Sequence, residues 1–452
     1  MPSPSTIGVV TPGSTYDLVC IGFGASALSL AIALKERQSL ASTVFLEQQP
    51  QARWKPCHSL ISPRMKTSFL SDLVTSENPR SKFTFVSYLH STNQLVTYTN
   101  SGRIAPSRPM FADYLRWCAK QFESHVCFGN RVVGVMPRNG NNGLLEGWNV
   151  LYEDISTGQR GSITSRQVVC AAGLQQKIPN VLSAQSIRPR VAHSSEALEA
   201  ISEVLKDKRQ TPKIAIVGET SHAAEIFVHL HGIHGNHNVH WLTQRSEVKG
   251  KEETPFALES LHQSHQVPPE FSRQGGERSR SANALPRQLM TEIYDFMYDQ
   301  SVKQPDSSKC RFQVRHSTSI TNCQVTPDNK VELGFQSGAT LNLGSKSDIY
   351  DLVISATGYD TSEHRRILSP LSQLVDGHNI TVAADYQVNF RSGVKKSNTG
   401  VWLLHSPIDS DEIDDALYQI LAQRSARVAQ ALIEQRKLPA EETTSEDRSA
   451  RL

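Results

Sequence analysis

Twice in this chain an apolar run of strand length stops at a glycine and passes into a helix-patterned segment, and few folds accommodate that punctuation. The first instance is YDLVCIGFGASALSLAIAL, Tyr16 to Leu34. Asp17 to Gly22 reads as a buried parallel strand. Gly22-Phe23-Gly24-Ala25-Ser26-Ala27 follows in the pattern GxGxxA. Gly22 suits the tight turn, Gly24 lets a pyrophosphate approach the backbone, and Ala27 permits close helix–strand packing. Ala25 and Ser26 open a helix whose N–H groups and positive dipole end face that anion. Thr43 to Leu46 reads as the next strand and ends at Glu47. That acid stands at about the ~20-residue spacing that places a carboxylate on a ribose hydroxyl. The same residues without a ligand would be a glycine turn in a βαβ unit; the flanking strand, helix and acid favour a dinucleotide.

The second instance is Lys213 to Gly218, followed by helical apolar spacing over Ala223 to Phe227 and a strand over Asn238 to Leu242. Its loop reads Gly218-Glu219-Thr220-Ser221-His222-Ala223. Thr220 occupies the middle glycine position, where its side chain is expected to crowd a phosphate. Glu219 sets a negative charge beside an anion unless it points away. Gly218, Ser221 and Arg245 are the remaining candidates for a nicotinamide cofactor. Arg245, Lys249 and Lys251 fit either a 2′-phosphate site or an ordinary solvated face. A third apolar run, Asp351 to Tyr359, ends in ATGY, with Thr357 and Gly358 at its tip. Two such units with a return through an ATG strand follow the order of two-dinucleotide flavoenzymes, flavin first and nicotinamide second.

The predicted fold is therefore α/β, with Rossmann-like FAD and NADPH units. The polar stretch 262–287 reads as an insertion near the active site or as a disordered loop. The expected boundaries are 1–210 for the first part of the FAD unit, 211–345 for the NADPH-like unit with an insertion at 246–300, and 346–452 for the FAD-domain return, C-terminal helix and tail. A chain of 452 residues is long enough for two or three domains. The formal net charge of +3 is dispersed, which argues against nucleic acid or an anionic membrane as partner. Seven cysteines lie scattered without CxxC or zinc spacing, as expected of reduced thiols in a cytoplasmic protein. The N-terminus has no secretory pattern, and no apolar run reaches membrane-spanning length. His229, His231, His234, His237 and His240 cluster without cysteines or HExxH, so no metal site is expected.

More specific segments lie between the two units. They include Met65-Lys66-Thr67-Ser68-Phe69-Leu70-Ser71-Asp72-Leu73, Asn78-Pro79-Arg80-Ser81-Lys82-Phe83-Thr84-Phe85 with Tyr88-Leu89, Pro106-Ser107-Arg108, and Asp113-Tyr114-Leu115-Arg116-Trp117. In this order, with Leu421-Ala422-Gln423-Arg424 near the end, the chain resembles the L-ornithine N5-monooxygenases of siderophore biosynthesis and, more broadly, the flavin N-hydroxylating monooxygenases. The resemblance implies that NADPH reduces bound FAD and that the reduced flavin activates O2. One oxygen atom then passes to a small-molecule amine in its unprotonated form. It implies Met65 beside the isoalloxazine, Arg108 near its redox-active edge, and Trp54 close to the flavin. It favours a small substrate-site insertion over a disordered loop at 262–287. It also implies a homo-oligomer, a tetramer.

The substrate residues depart from the family pattern. Lys66 stands for a glutamine and Ser71 for the lysine that holds the ornithine carboxylate. Leu258 replaces a substrate-contacting asparagine, Asn283 falls in the altered TNYS segment, and Gln419 ends the altered DTLLS segment. Lys66 is either a replacement carboxylate clamp or a solvent-facing lysine. The expected function is thus FAD-, NADPH- and O2-dependent N-hydroxylation of an amine or amino acid in siderophore or other secondary metabolism, with ornithine itself doubtful. The alternatives are a flavoprotein with impaired NADPH use, acting as an oxidase or a non-catalytic partner, and oxidation of carbon or sulfur rather than nitrogen.

Overall fold

The computed structural model describes residues 12–52, 64–65, 67–140, 143–184, 187, 190–207, 209–247, 285–337, 346–375, 380–404, 418 and 420–438. β1 (Thr15–Ile21), α1 (Ala25–Glu36) and β2 (Thr43–Leu46) form the first βαβ unit. β1 pairs in parallel with β2 on one side and with β6 (Arg160–Cys170) on the other. β3 (Val126–Cys127) continues the sheet beyond β2. The far edge of β6 is divided. Its first half pairs antiparallel with β5 (Leu145–Asp154), which in turn pairs with β4 (Asn130–Asn139). Its second half pairs in parallel with β17 (Gly400–Leu403).

Ala27 to Leu34 of α1 are all buried. A helix with no polar face must be covered on every side; here the sheet lies on one side and α9 (Leu421–Arg436) on the other. Ser29 is tolerated inside because its hydroxyl donates to the Leu73 carbonyl at 2.7 Å.

The segments that carry the family resemblance build an aromatic core. α2 (Phe85–Ser91) and α3 (Leu95–Asn100) pack with α4 (Arg108–Ala119), placing the Phe85 ring 5.4 Å from Tyr114 and the Tyr88 ring 5.8 Å from Trp117. Tyr88 Oη donates to Asp113 Oδ2 at 2.8 Å, and Tyr114 Oη donates to the Phe83 carbonyl at 2.8 Å. Asp72 ties the connecting loop, accepting from the amides of Val74, Thr75 and Phe85 at 2.9, 2.6 and 2.6 Å. Burial pushes its carboxyl pKa upward against these bonds.

The second sheet is parallel throughout, in the order β11 (Phe312–Arg315), β10 (Asn238–Leu242), β9 (Lys213–Val217), β15 (Leu352–Ser355), β8 (Val191–His193). α5 (Ala197–Val204), α6 (Ser221–Gly232) and α7 (Arg287–Lys303) pack with it around Ile214, Ile216 and Trp241. β12 (Thr318–Val325), β13 (Val331–Ser337) and β14 (Lys346–Tyr350) make a small antiparallel sheet. β7 (Gln175–Gln176) and β16 (Tyr359–Asp360) form a short ribbon, followed by α8 (Glu363–Ile367).

Sheet membership differs from the expected boundaries at 210 and 346. β8 and α5 belong with the second sheet, and β15, expected to return to the flavin unit, lies between β9 and β8. The strand that does return is β17. An apolar tetrapeptide such as LVIS suits either sheet, and only its non-local partner decides. Among the described residues, no helix is long and apolar enough to cross a membrane.

Candidate active site

Gly22 and Gly24 are glycines for different reasons. Gly22 has φ +91°, and a Cβ there would lie 2.7 Å from the Ala171 carbonyl oxygen, so the turn off β1 closes against the chain leaving β6 only without a side chain. Gly24 has φ −73° and ψ −174°, a conformation open to any residue. A Cβ on it would meet nothing within 4 Å among the described residues. Glycine here keeps the space before the first turn of α1 clear, a cradle that a methyl group would fill. Glu47 closes the loop: Oε2 accepts from the Phe23 amide at 2.7 Å and Oε1 from the Gln49 amide at 2.8 Å. Each oxygen keeps a further lone pair for a hydroxyl donor.

These groups line a cleft of about 900 Å³ that also takes in Ala25, Met65, Arg108, Asn130, Arg131 and Tyr418. Its volume is at the top of the roughly 300–1,000 Å³ range of ligand pockets. Met65 and Arg108 are both buried and meet on one wall, with Arg108 Nη1 3.8 Å from Met65 Sδ. The Met65 amide donates to the Pro106 carbonyl at 2.8 Å, which fixes the backbone at Met65 against the entry to α4. Ser107 caps that helix by accepting from the Met110 amide at 3.3 Å, so Arg108 projects from a defined first turn. Phe111, one turn on, sets its ring edge-on to Tyr418 at 5.2 Å.

The second glycine turn departs from expectation. Gly218 has φ +139°, and a Cβ there would collide with the Ala356 carbonyl of β15's end. Thr220 turns its hydroxyl to the end of β15. Its Oγ1 donates to the same Ala356 carbonyl at 2.9 Å, and the side chain is buried against the sheet. Glu219 Oε2 accepts from Arg245 Nε at 2.6 Å. Arg245 and the acid thus compensate each other. Ser221 is buried at the first turn of α6.

The sequence profile described as L-lysine 6-monooxygenase/L-ornithine 5-monooxygenase matches residues 14–361. An L-ornithine N(5)-monooxygenase of Ajellomyces capsulatus is 31% identical, aligning 93% of this chain with 91% of its own length. One of Pseudomonas aeruginosa is 30% identical over 90% of this chain and 94% of its own. The solved structure of ornithine hydroxylase (PvdA) from Pseudomonas aeruginosa superposes with a TM-score of 0.79 at 28% identity, covering 94% of this chain and 100% of that one. The chain belongs to the L-lysine 6-monooxygenase/L-ornithine 5-monooxygenase family. By family it is an N-hydroxylating monooxygenase.

Against that membership, the expected site residues divide. Gly22, Gly24, Ala25, Glu47, Met65 and Arg108 converge on the cleft. Ser26 turns from it, and its hydroxyl accepts from Arg424 Nη2 of α9 at 3.1 Å; Ala27 is buried in the core. Thr357 and Gly358 do not line the cleft, although the next residue, Tyr359, does. Thr357 Oγ1 donates to the Lys177 carbonyl, and the Gly358 carbonyl is 2.9 Å from His193 Nε2, so they lace the crossing between the two sheets. Ser71 lies in a turn, its amide donating to the Ser68 carbonyl at 2.9 Å, and is not among the cleft's lining residues. Trp54, Lys66, Lys249, Lys251, Leu258, Asn283 and Gln419 lie outside the described residues, as does 248–284 of the expected insertion.

Sequence reasoning missed Asn130, Arg131, Phe111 and Tyr418. Asn130 and Arg131 open β4, Phe111 lies on α4, and Tyr418 is a helical residue of the altered DTLLS segment; no chemistry-bearing motif marks any of them. Among the described residues no cluster of three or more His, Cys, Asp or Glu could hold a metal. His231 stacks on Phe296 at 4.0 Å, and His237 Nε2 is 2.8 Å from the Leu230 carbonyl.

Proposed function

We propose that the chain binds FAD along the α1 cleft and NADPH at the α6 turn, and that it N-hydroxylates the terminal amine of an aliphatic diamine or diamino acid. The cleared cradle at Gly24, opening onto a cleft shared with Met65 and Arg108, is the observation that carries this reading. The residues present fit a dinucleotide. The first-turn amides of α1 receive the diphosphate, and Glu47 accepts a ribose hydroxyl from the adenosine half. When bound, the flavin supplies the redox and oxygen-transfer chemistry.

The rest falls to the protein. Met65 packs against the flavin ring and Arg108 offers it a fixed positive charge from a rigid helix start. Phe111 and Tyr418 keep water from that wall. A free primary amine holds its proton up to about pH 10, so the nitrogen reaches its reactive neutral form by desolvation beside these apolar rings and the guanidinium. The hydroxylamine product suits acylation to a hydroxamate, the iron ligand of siderophores.

Ser71, where the resemblance places a carboxylate-holding lysine, supports a substrate that does not depend on that charge. The test is NADPH oxidation matched to hydroxylamine formation across ornithine, lysine, their decarboxylated diamines and Nα-acylated ornithine. Coupled turnover with at least one is expected. Peroxide release without hydroxylamine on every amine refutes the proposal and favours an oxidase.

A further inference from the structure

We infer that Glu219 sets the choice between 2′-phosphorylated and unphosphorylated nicotinamide dinucleotides, holding Arg245 in an ion pair that a 2′-phosphate has to displace. This rests on reading the α6 turn as the nicotinamide site. Glu219 follows Gly218 directly, at the mouth of the turn. Arg245 stands just beyond the end of β10, where a dinucleotide fold presents the adenosine ribose and where an arginine accommodates a 2′-phosphate. The Arg245 backbone is held there: its amide donates to Thr243 Oγ1 at 3.2 Å and its carbonyl accepts from the Ser317 amide at 2.9 Å. Neither partner is buried; the Arg245 and Glu219 side chains are 30% and 23% exposed, so an incoming ligand reaches both.

A 2′-phosphate carries nearly two negative charges. To reach Arg245 it must either break the 2.6 Å charge-assisted bond to Glu219 or lie beside a carboxylate. A 2′-hydroxyl meets neither penalty, because the carboxylate is an acceptor for it, as in sites for the unphosphorylated cofactor. Thr220 is not part of this selection, since its hydroxyl is committed to the Ala356 carbonyl. Glu219 therefore disfavours the phosphorylated dinucleotide relative to the unphosphorylated one. If Glu219 instead only oriented Arg245 for phosphate, its removal would weaken binding of the phosphorylated ligand, the opposite sign.

The test is calorimetric titration of the flavin-loaded chain with adenosine 2′,5′-bisphosphate and with adenosine 5′-monophosphate. Glu219→Gln should tighten the bisphosphate at least about tenfold and leave the monophosphate within about twofold, because the change removes a like charge acting at contact range. Arg245→Met added to Glu219→Gln should erase that gain. An unchanged or weakened bisphosphate in Glu219→Gln, with both nucleotides still bound, overturns this inference alone. Failure of both nucleotides to bind the unmodified chain and Glu219→Gln alike overturns both the inference and the nicotinamide site.

Discussion

Gly24→Ala separates the two roles of the first glycine turn. The residue sits at φ −73°, ψ −174°, so alanine adopts its backbone without strain. Its Cβ meets no described protein atom within 4 Å. Exchanging glycine for alanine at a helix N-cap costs at most about 1 kcal/mol. The apo protein should therefore stay folded, with its urea midpoint nearly unchanged. The methyl group would stand where a diphosphate oxygen meets the α1 amides. Losing one or two charge-assisted hydrogen bonds, each worth about 1.5–3 kcal/mol, amounts to about 3 kcal/mol, or roughly a 100-fold weaker Kd for FAD. The control is Gly22→Ala, which places Cβ 2.7 Å from the Ala171 carbonyl at φ +91°. Left-handed strain and overlap together should destabilise the fold itself by about 2–4 kcal/mol. FAD titration of deflavinated protein, followed by quenching of flavin fluorescence, reads the first effect; urea unfolding reads the second. FAD affinity in Gly24→Ala equal to that of the parent would refute the reasoning. So would a Gly24→Ala fold as destabilised as Gly22→Ala.

Three further outcomes follow from the geometry. Thr220→Val should lower unfolding free energy by about 1–2 kcal/mol, by leaving the Ala356 carbonyl without its 2.9 Å donor, yet leave adenine-nucleotide affinity unchanged in calorimetry. Arg108→Met should keep FAD bound but cut coupled hydroxylation at least about tenfold, by removing a fixed charge at the flavin wall, measured as hydroxylamine per NADPH oxidised. His240 is buried beside Arg315 and Lys213, and burial first, then these cations, push its pKa down to about 3, against the opposing pull of Asp348. The unfolded imidazole takes up its proton near pH 6.5 while the folded one does not, so this contribution is fully present above 6.5 and is lost as pH falls towards 3. The loss should amount to about 2 kcal/mol by pH 5. Stability against urea from pH 7.5 to 4.5 should fall less steeply in His240→Gln, and parallel curves would refute that account.

Local pattern was enough for much of the fold. Both strand–glycine–helix turns were legible because a parallel strand buried on both faces must be continuously apolar, and because glycine is the residue that turns with φ positive against another backbone. Glu47 was legible from its spacing at the end of the second strand, where its carboxylate accepts from the Phe23 amide of the glycine turn. Met65 and Arg108 were reached only through resemblance; no property of either residue in isolation marks it. The distinctive segments around Phe83, Tyr88 and Tyr114 announced the family, yet in the structure they build the aromatic core under α4.

What the sequence determined by itself was the strand–glycine–helix units around Gly22 and Gly218 and the apolar run before Tyr359, because apolar periodicity and glycine act over a few neighbouring residues. Tertiary structure alone decided which sheet Leu352–Ser355 joins, that Thr220 points to the Ala356 carbonyl, and that Glu219 meets Arg245. Each of these depends on a partner far along the chain. A rotamer or an ion pair follows whichever distant carbonyl or charge the fold brings within about 3 Å, and no local pattern encodes that distance.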